Sequence, residues 1–359
     1  MTVSRSMHVR CVAAIAFVVF AGCKDTSSPF LDGKAANLAE LEQRLETLRG
    51  ELKIPGMGVA ISEGDKIVWS KGLGLSDIAR VEPAKPTTDF HIASLTKAFA
   101  GVILVKLVSQ GVVSLDDPVT KFGVVIPGNT GIKVRHLANM TSEGTPGSKF
   151  SYNGDRFALL EQVITSATVK SFGELVVSEI LKPLDLTRTA PNLGHSSFAF
   201  AGIDRATFTA NLATGYTASG NSFTITPYPT SFGPAAGLIS TAEDMALFSI
   251  AIDSDRLLTS AERSLMFEAA KSTSGATLPY AIGWFSQNIR GITVQWSYGY
   301  WTANSALIIR IPSKQRMFVA LANSDGLSAK FALGSGDLMS SPVAREFLEA
   351  FAFSDTPLQ

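Results

Sequence analysis

The sequence predicts an α+β fold: an antiparallel sheet built from N- and C-terminal segments, flanked by helices, with an inserted mainly helical region. Three observations predict it. Strand patterns lie near the start, within residues 58–69. Further strand patterns lie near the end, between residues 282 and 322. The stretch between them, out to about residue 275, reads as helices and loops.

The elements follow in chain order. Residues 37–49 read as a helix, because Leu38, Leu41, Leu45 and Leu48 recur at helical spacing and Asn37 can cap the first turn. Residues 58–69 read as two strands joined at Glu63-Gly64-Asp65. Residues 94–109 form a long apolar helical pattern that stops at Gly111. Strands return at residues 282–285, 292–298, 305–311 and 317–322, and a last helix is expected over 342–353. No internal repeat or low-complexity tract interrupts the chain.

Composition bounds the function. The chain has 359 residues, 46% of them hydrophobic and 17% charged, so a sizeable core is expected, in one large domain or two closely packed ones. Net charge is zero, and no basic run is interleaved with aromatics, so nucleic acid is not an expected partner.

The N-terminus reads as a targeting segment. Arg5, His8 and Arg10 precede an apolar stretch over residues 11–20, too short to span a membrane. It ends in Phe20-Ala21-Gly22-Cys23, which resembles a bacterial lipoprotein processing site. The resemblance implies a signal peptide over residues 1–22 and a lipid on Cys23. Residues 23–36 would then be a lipidated N-terminus and tether, and residues 37–359 the functional domain. The cysteines are Cys11 and Cys23, so the mature body would contain neither thiol nor disulfide beyond the lipidated position. Thiol catalysis is thereby excluded. Lys24 after the cysteine points to the outer membrane, facing the periplasm. The extended tether would reach about 40 Å.

The candidate chemistry starts from Ser94 and Lys97, the chain's only Ser-x-x-Lys. In a helix, residues three apart share a face, so the amine can stand beside the hydroxyl. A buried, neutral lysine there could take the hydroxyl proton and make serine a nucleophile. The spacing alone occurs by chance in a chain this long. Other segments supply the context: Phe90-His91-Ile92-Ala93-Ser94-Leu95-Thr96-Lys97, Gly111 to Pro118, Ile132 to Ser142, Pro146 to Tyr152 with Phe157 to Leu160, Pro183 to Thr187, and Gly237 to Asp244.

In this order, across residues 37–353, these segments resemble the serine β-lactamase-like superfamily. It includes class C β-lactamases, low-molecular-weight penicillin-binding proteins (D-alanyl-D-alanine carboxypeptidases) and β-lactamase-fold carboxylesterases. The resemblance implies the β-lactamase/transpeptidase-like fold and no cofactor. It implies that Ser94 is the acyl-accepting nucleophile at a helix N-terminus, where the dipole and free amides favour negative charge. Lys97 and Tyr152 would be the proton-transfer pair, with the resting base left open. The oxyanion hole would be the backbone amides of Ser94 and Tyr300.

Two motifs depart from the family. Where Tyr-Ser-Asn or Tyr-Ala-Asn is usual, this chain has Tyr152-Asn153-Gly154. Either Asn153 supplies the missing amide from the neighbouring position, or the substrate amide goes unrecognised. Where Lys-Thr-Gly or His-x-Gly is usual, the chain has Ser297-Tyr298-Gly299. Gly299 fits the glycine that lets a substrate approach the strand. Ser297, or Tyr298 after a one-residue shift, stands in the place of the cation that grips a carboxylate. Trp296, Tyr298, Tyr300 and Trp301 are candidates to line an acyl pocket, with core packing as the other reading.

Other chemistries lack their motifs. There is no Gly-x-Ser-x-Gly, no Walker A loop and no dinucleotide fingerprint. His91, His136 and His195 show no metal-binding spacing, and His91 reads as a packed residue. The expected function is an exported serine hydrolase acting on esters or small amides. D-Ala-D-Ala carboxypeptidase or β-lactamase-type activity is an alternative, and so is a non-catalytic cell-wall-peptide binding protein. The expected partners are a small ester, amide or peptide substrate and a membrane reached through the lipid, with no metal.

Overall fold

Leu41, Leu45 and Leu48 are buried along one side of α1 (Leu38–Glu51), and Asn37 caps it by accepting from the Glu40 amide at 2.9 Å. This comes from a computed structural model, which describes residues 34–128 and 130–354. The expected signal peptide, the lipidated Cys23 and all but the end of the tether lie outside the described residues.

The expected sheet forms. β1 (Gly56–Glu63) and β2 (Lys66–Asp77) make an antiparallel hairpin that turns at Gly64, whose φ of 59° suits glycine. A short β3 (Glu82–Pro83) edges it. The C-terminal part supplies β4 (Phe285–Ile289), β5 (Ile292–Trp301), β6 (Asn304–Ile311) and β7 (Arg316–Ala322). Strand order is β3-β2-β1-β7-β6-β5-β4, so the last strand in sequence pairs with the first. Val59 sits opposite Ala320, and Ile61 opposite Phe318. β1, β6 and β7 are buried almost throughout, because helices cover both faces.

One strand is corrected. Residues 282–284 are not extended sheet; the strand begins at Phe285. Gly283 has φ of 76° and lies against α2 (Thr96–Ser109), where an added Cβ would stand 2.3 Å from the Lys97 carbonyl oxygen. That close crossing bends the chain before the strand can start.

α2 is buried over nearly all its length, as its uniformly apolar composition requires of a central helix. A three-stranded sheet of Phe90–His91, Leu238–Ser240 and Ala190–Pro191 delivers the chain to its N-terminus. A buried charge network braces that small sheet. Arg188 holds both oxygens of Asp89, and Asp244 accepts from the Arg188 amide at 3.0 Å and the Thr189 hydroxyl at 2.8 Å. Breaking such a pair strands a buried charge, so it acts as a rigid strut. On the opposite sheet face, Phe318 stacks on Phe347, and Arg44 pairs with Glu346 at 3.3 Å, joining the first helix to the last.

Candidate active site

Ser94 lies in a 3-10 turn, Ala93–Leu95, that runs straight into α2. Ala93 is held at φ 45°, a conformation costly for a residue with a Cβ. Thr96 stabilises the turn: its hydroxyl donates to the Ala93 carbonyl at 2.7 Å and accepts from the Leu238 amide at 3.0 Å. The Ser94 hydroxyl therefore stands on a fixed platform.

Lys97 is fully buried and donates to Ser94 Oγ at 2.9 Å and to the Ala235 carbonyl at 2.7 Å. The Tyr152 and Phe157 rings lie 5.2 and 5.5 Å from its Nζ. Burial in these surroundings lowers its pKa to about 7, opposed in part by Asp155. Tyr152 moves the opposite way: burial pushes its phenol far up, and the Ser94 hydroxyl and the Tyr298 phenol are among the polar groups that act on it. Lysine can therefore accept a proton near neutral pH, whereas Tyr152 rests as the protonated phenol and is the proton donor of the pair.

Tyr152 is positioned by the chain just before α3 (Gly154–Ala158). The Ser151 amide donates to the Met140 carbonyl at 2.8 Å. The Tyr152 ring lies parallel to Phe285 and edge-on to Tyr280.

The departing motifs resolve as follows. Tyr298, not Ser297, faces Tyr152, with ring centroids 5.4 Å apart. Successive strand residues alternate, so one of the two must turn elsewhere; Ser297 is buried. The group facing Tyr152 is thus a phenol that burial raises to about 12.

Asn153 makes local contacts. Its Oδ1 accepts from the Arg156 amide at 2.9 Å as the cap of α3, and its Nδ2 donates to Glu143 at 2.6 Å. Both ends of the amide are engaged, and the cleft wall is formed by the next residues, Gly154 and Asp155. A Cβ on Gly154 would lie 3.9 Å from Lys97 Nζ, so glycine leaves a hollow beside the amine.

Gly299 meets a need of the fold: a Cβ there would stand 2.1 Å from the Ile92 carbonyl oxygen. The missing side chain lets β5 press against the nucleophile turn, rather than only against a substrate as expected. Tyr300 is half exposed and lines the cleft with Trp301. Trp296 does not: it is buried, stacked on Phe285 at 4.0 Å, and donates to Gln287 at 2.7 Å. His91 is packed face to face on Tyr228.

Together Ser94, Lys97, Gly154, Asp155, Phe232, Ala235, Tyr300 and Trp301 line an open cleft of about 430 Å³. The pairing of β5 with β4 ends at Trp296, so residues 297–301 leave an unpaired strand edge next to it. Sequence reasoning missed Asp155, Phe232 and the Ala235 carbonyl. Asp155 directly follows the tyrosine motif and could have been noticed; a backbone carbonyl carries no sequence signal. Among the described residues, no group of three or more His, Cys, Asp or Glu side chains is placed to hold a metal ion.

Comparison with known proteins bears on the family and the fold. The sequence profile of the family described as Beta-lactamase matches residues 41–335. Protein flp of Staphylococcus aureus is 30% identical over 173 residues, covering 38% of this chain and 35% of that protein. The chain thus matches only about a third of that relative's length. Among solved structures, the octameric penicillin-binding protein homologue from Pyrococcus abyssi superposes with a TM-score of 0.71 at 22% identity, over 80% of this chain and 74% of that one. A D-stereospecific amidohydrolase from Streptomyces gives 0.68 at 21% identity, over 88% and 99%. At such identities the superpositions show a shared fold.

Proposed function

The chain belongs to the β-lactamase family of serine hydrolases, and from that premise we propose that it is an exported hydrolase forming an acyl-enzyme on Ser94, with esters or small amides as substrates. The observation that carries this reading is the 2.9 Å contact between Ser94 Oγ and a lysine amine that burial holds near neutrality.

The steps follow from the groups present. Lys97 Nζ takes the Ser94 proton as Oγ bonds to the substrate carbonyl carbon. The oxyanion forms against the backbone amides of Ser94 and Tyr300. Tyr152 donates its proton to the leaving oxygen or nitrogen as that bond breaks, and the Lys97 ammonium reprotonates the phenolate. Water then attacks the acyl carbon by the same route, and Ser94 is restored.

Substrate class follows from what faces Tyr152. Tyr298 offers a neutral hydroxyl where a carboxylate-bearing substrate would need a cation. An ester or small amide needs no such partner, so D-Ala peptides and β-lactams are the lesser candidates. Export and a lipid on Cys23 are supported by the N-terminal sequence alone.

The test is labelling with a fluorescent fluorophosphonate and with fluorescent penicillin, mapped by mass spectrometry. The expected result is an adduct at Ser94 with the fluorophosphonate and little with penicillin. Strong penicillin labelling would favour a penicillin-binding protein. No adduct with either, in folded protein, would reduce the chain to a binding protein on this fold.

A further inference from the structure

Among the described residues, the charged side chains lining the Ser94 cleft are Lys97 and Asp155. Lys97 is driven toward its neutral form by burial, whereas Asp155 is exposed in the cleft. The Asp155 carboxylate has no hydrogen-bond or ion-pair partner among the described residues, and it acts electrostatically on Lys97. Because residue 154 is glycine, no side chain at that position stands between the carboxylate and the Ser94–Lys97 pair. Behind the Gly233 wall, a second carboxylate oxygen, from Glu161, lies 3.9 Å from where a Cβ would sit. Phe232, Tyr300 and Trp301 supply aromatic surface to the same space.

The cleft thus has a phenol opposite Tyr152, where a cation was expected, and a carboxylate with no hydrogen-bond or ion-pair partner among the described residues. A substrate carboxylate would meet like charge; an ammonium would meet a free carboxylate and aromatic faces that attract cations. We propose that the cleft selects acyl donors bearing a free ammonium close to the reacting carbonyl, received by Asp155: amino esters or amino amides with an unblocked amine. This names the substrate class of the acyl-enzyme reading and rests on it.

The protonation states required can coexist. Lys97 is neutral above pH about 7, and an α-amine stays charged below about 8. The amine substrate should therefore show a bell-shaped kcat/KM profile, while its acetylated counterpart loses the alkaline limb caused by the amine.

The experiment compares alanine 4-nitroanilide, as each stereoisomer, with its N-acetyl counterpart. We expect kcat/KM to favour the free amine by roughly tenfold or more, the scale of one charge-assisted contact. Asp155→Asn should bring the ratio near one, and Asp155→Glu should keep most of it. The ratio divides out any general loss of activity. An unchanged ratio in Asp155→Asn, or no cleavage of either substrate by protein that accepts a fluorophosphonate on Ser94, overturns the ammonium proposal alone. Absence of the Ser94 adduct overturns the acyl-enzyme reading, and this proposal with it.

Discussion

Lys97 carries the sharpest conflict in the molecule between stability and chemistry. Its amine is fully buried, and its pKa falls from an ordinary 10.5 to about 7 because burial disfavours the ammonium. Between those values the folded state binds fewer protons than the unfolded state, so this residue's contribution to stability rises with pH across that window and is poorest below 7. Lys97→Met should remove the penalty. We expect a gain of about 1–3 kcal/mol at pH 6, after the loss of the Ala235 hydrogen bond is subtracted, and almost none at pH 10. Urea unfolding at the two pH values checks this. The same variant should lose acylation of Ser94 by about 10²–10⁴-fold, measured as fluorophosphonate labelling rate. A variant that is destabilised at pH 6 would show that burial does not disfavour the Lys97 ammonium. Residue spacing made this pair legible from sequence, since positions three apart in a helix must meet. The place of Asn153 was not legible, because a polar residue beside a motif tyrosine serves equally as a ligand or as a helix cap. Its backbone decided for the cap.

At the scale of elements, the site depends on β5 lying hard against the nucleophile turn. Gly299 makes this contact possible, with room for no side chain before the Ile92 carbonyl. Gly299→Ala should push the strand away and carry the Tyr300 amide with it. We expect kcat/KM to fall about 100-fold or more, with a stability loss of roughly 1–3 kcal/mol from overpacking. Activity assays beside urea titration check both; wild-type activity in this variant would mean the contact is slack. The strands and helices themselves were largely readable, since alternation and capping are local. β4 begins three residues later than expected because Gly283 crosses α2, a contact with a helix far away in sequence. Likewise, the choice between Ser297 and Tyr298 turned on which strand face meets Tyr152. A one-residue shift of register reverses that face.

At the scale of the whole molecule, β1 and β2 from the beginning of the chain complete a sheet whose other main strands come from its end. The inserted region is thereby clamped over the sheet, and the cleft opens where the insertion and β5 meet. The chain leading into this body should hold it at a membrane. Cys23→Ser is expected to move the protein from the membrane fraction to the soluble fraction on cell fractionation. Unchanged partitioning would refute the lipid as its anchor. The sequence alone determined the features set by neighbours along the chain: the helix that aligns Ser94 with Lys97, the hairpin at Gly64, the caps, and the family register around Tyr152. Covalent geometry and side-chain periodicity dictate these over a few residues. Only the tertiary structure decided which groups surround them. Lys97 donates to a carbonyl 138 positions away in sequence. Tyr298 stands before Tyr152, and Asp155 lines the cleft without a hydrogen-bond or ion-pair partner among the described residues. Desolvation, close approach and charge depend on distance through space, and a sequence records order rather than distance.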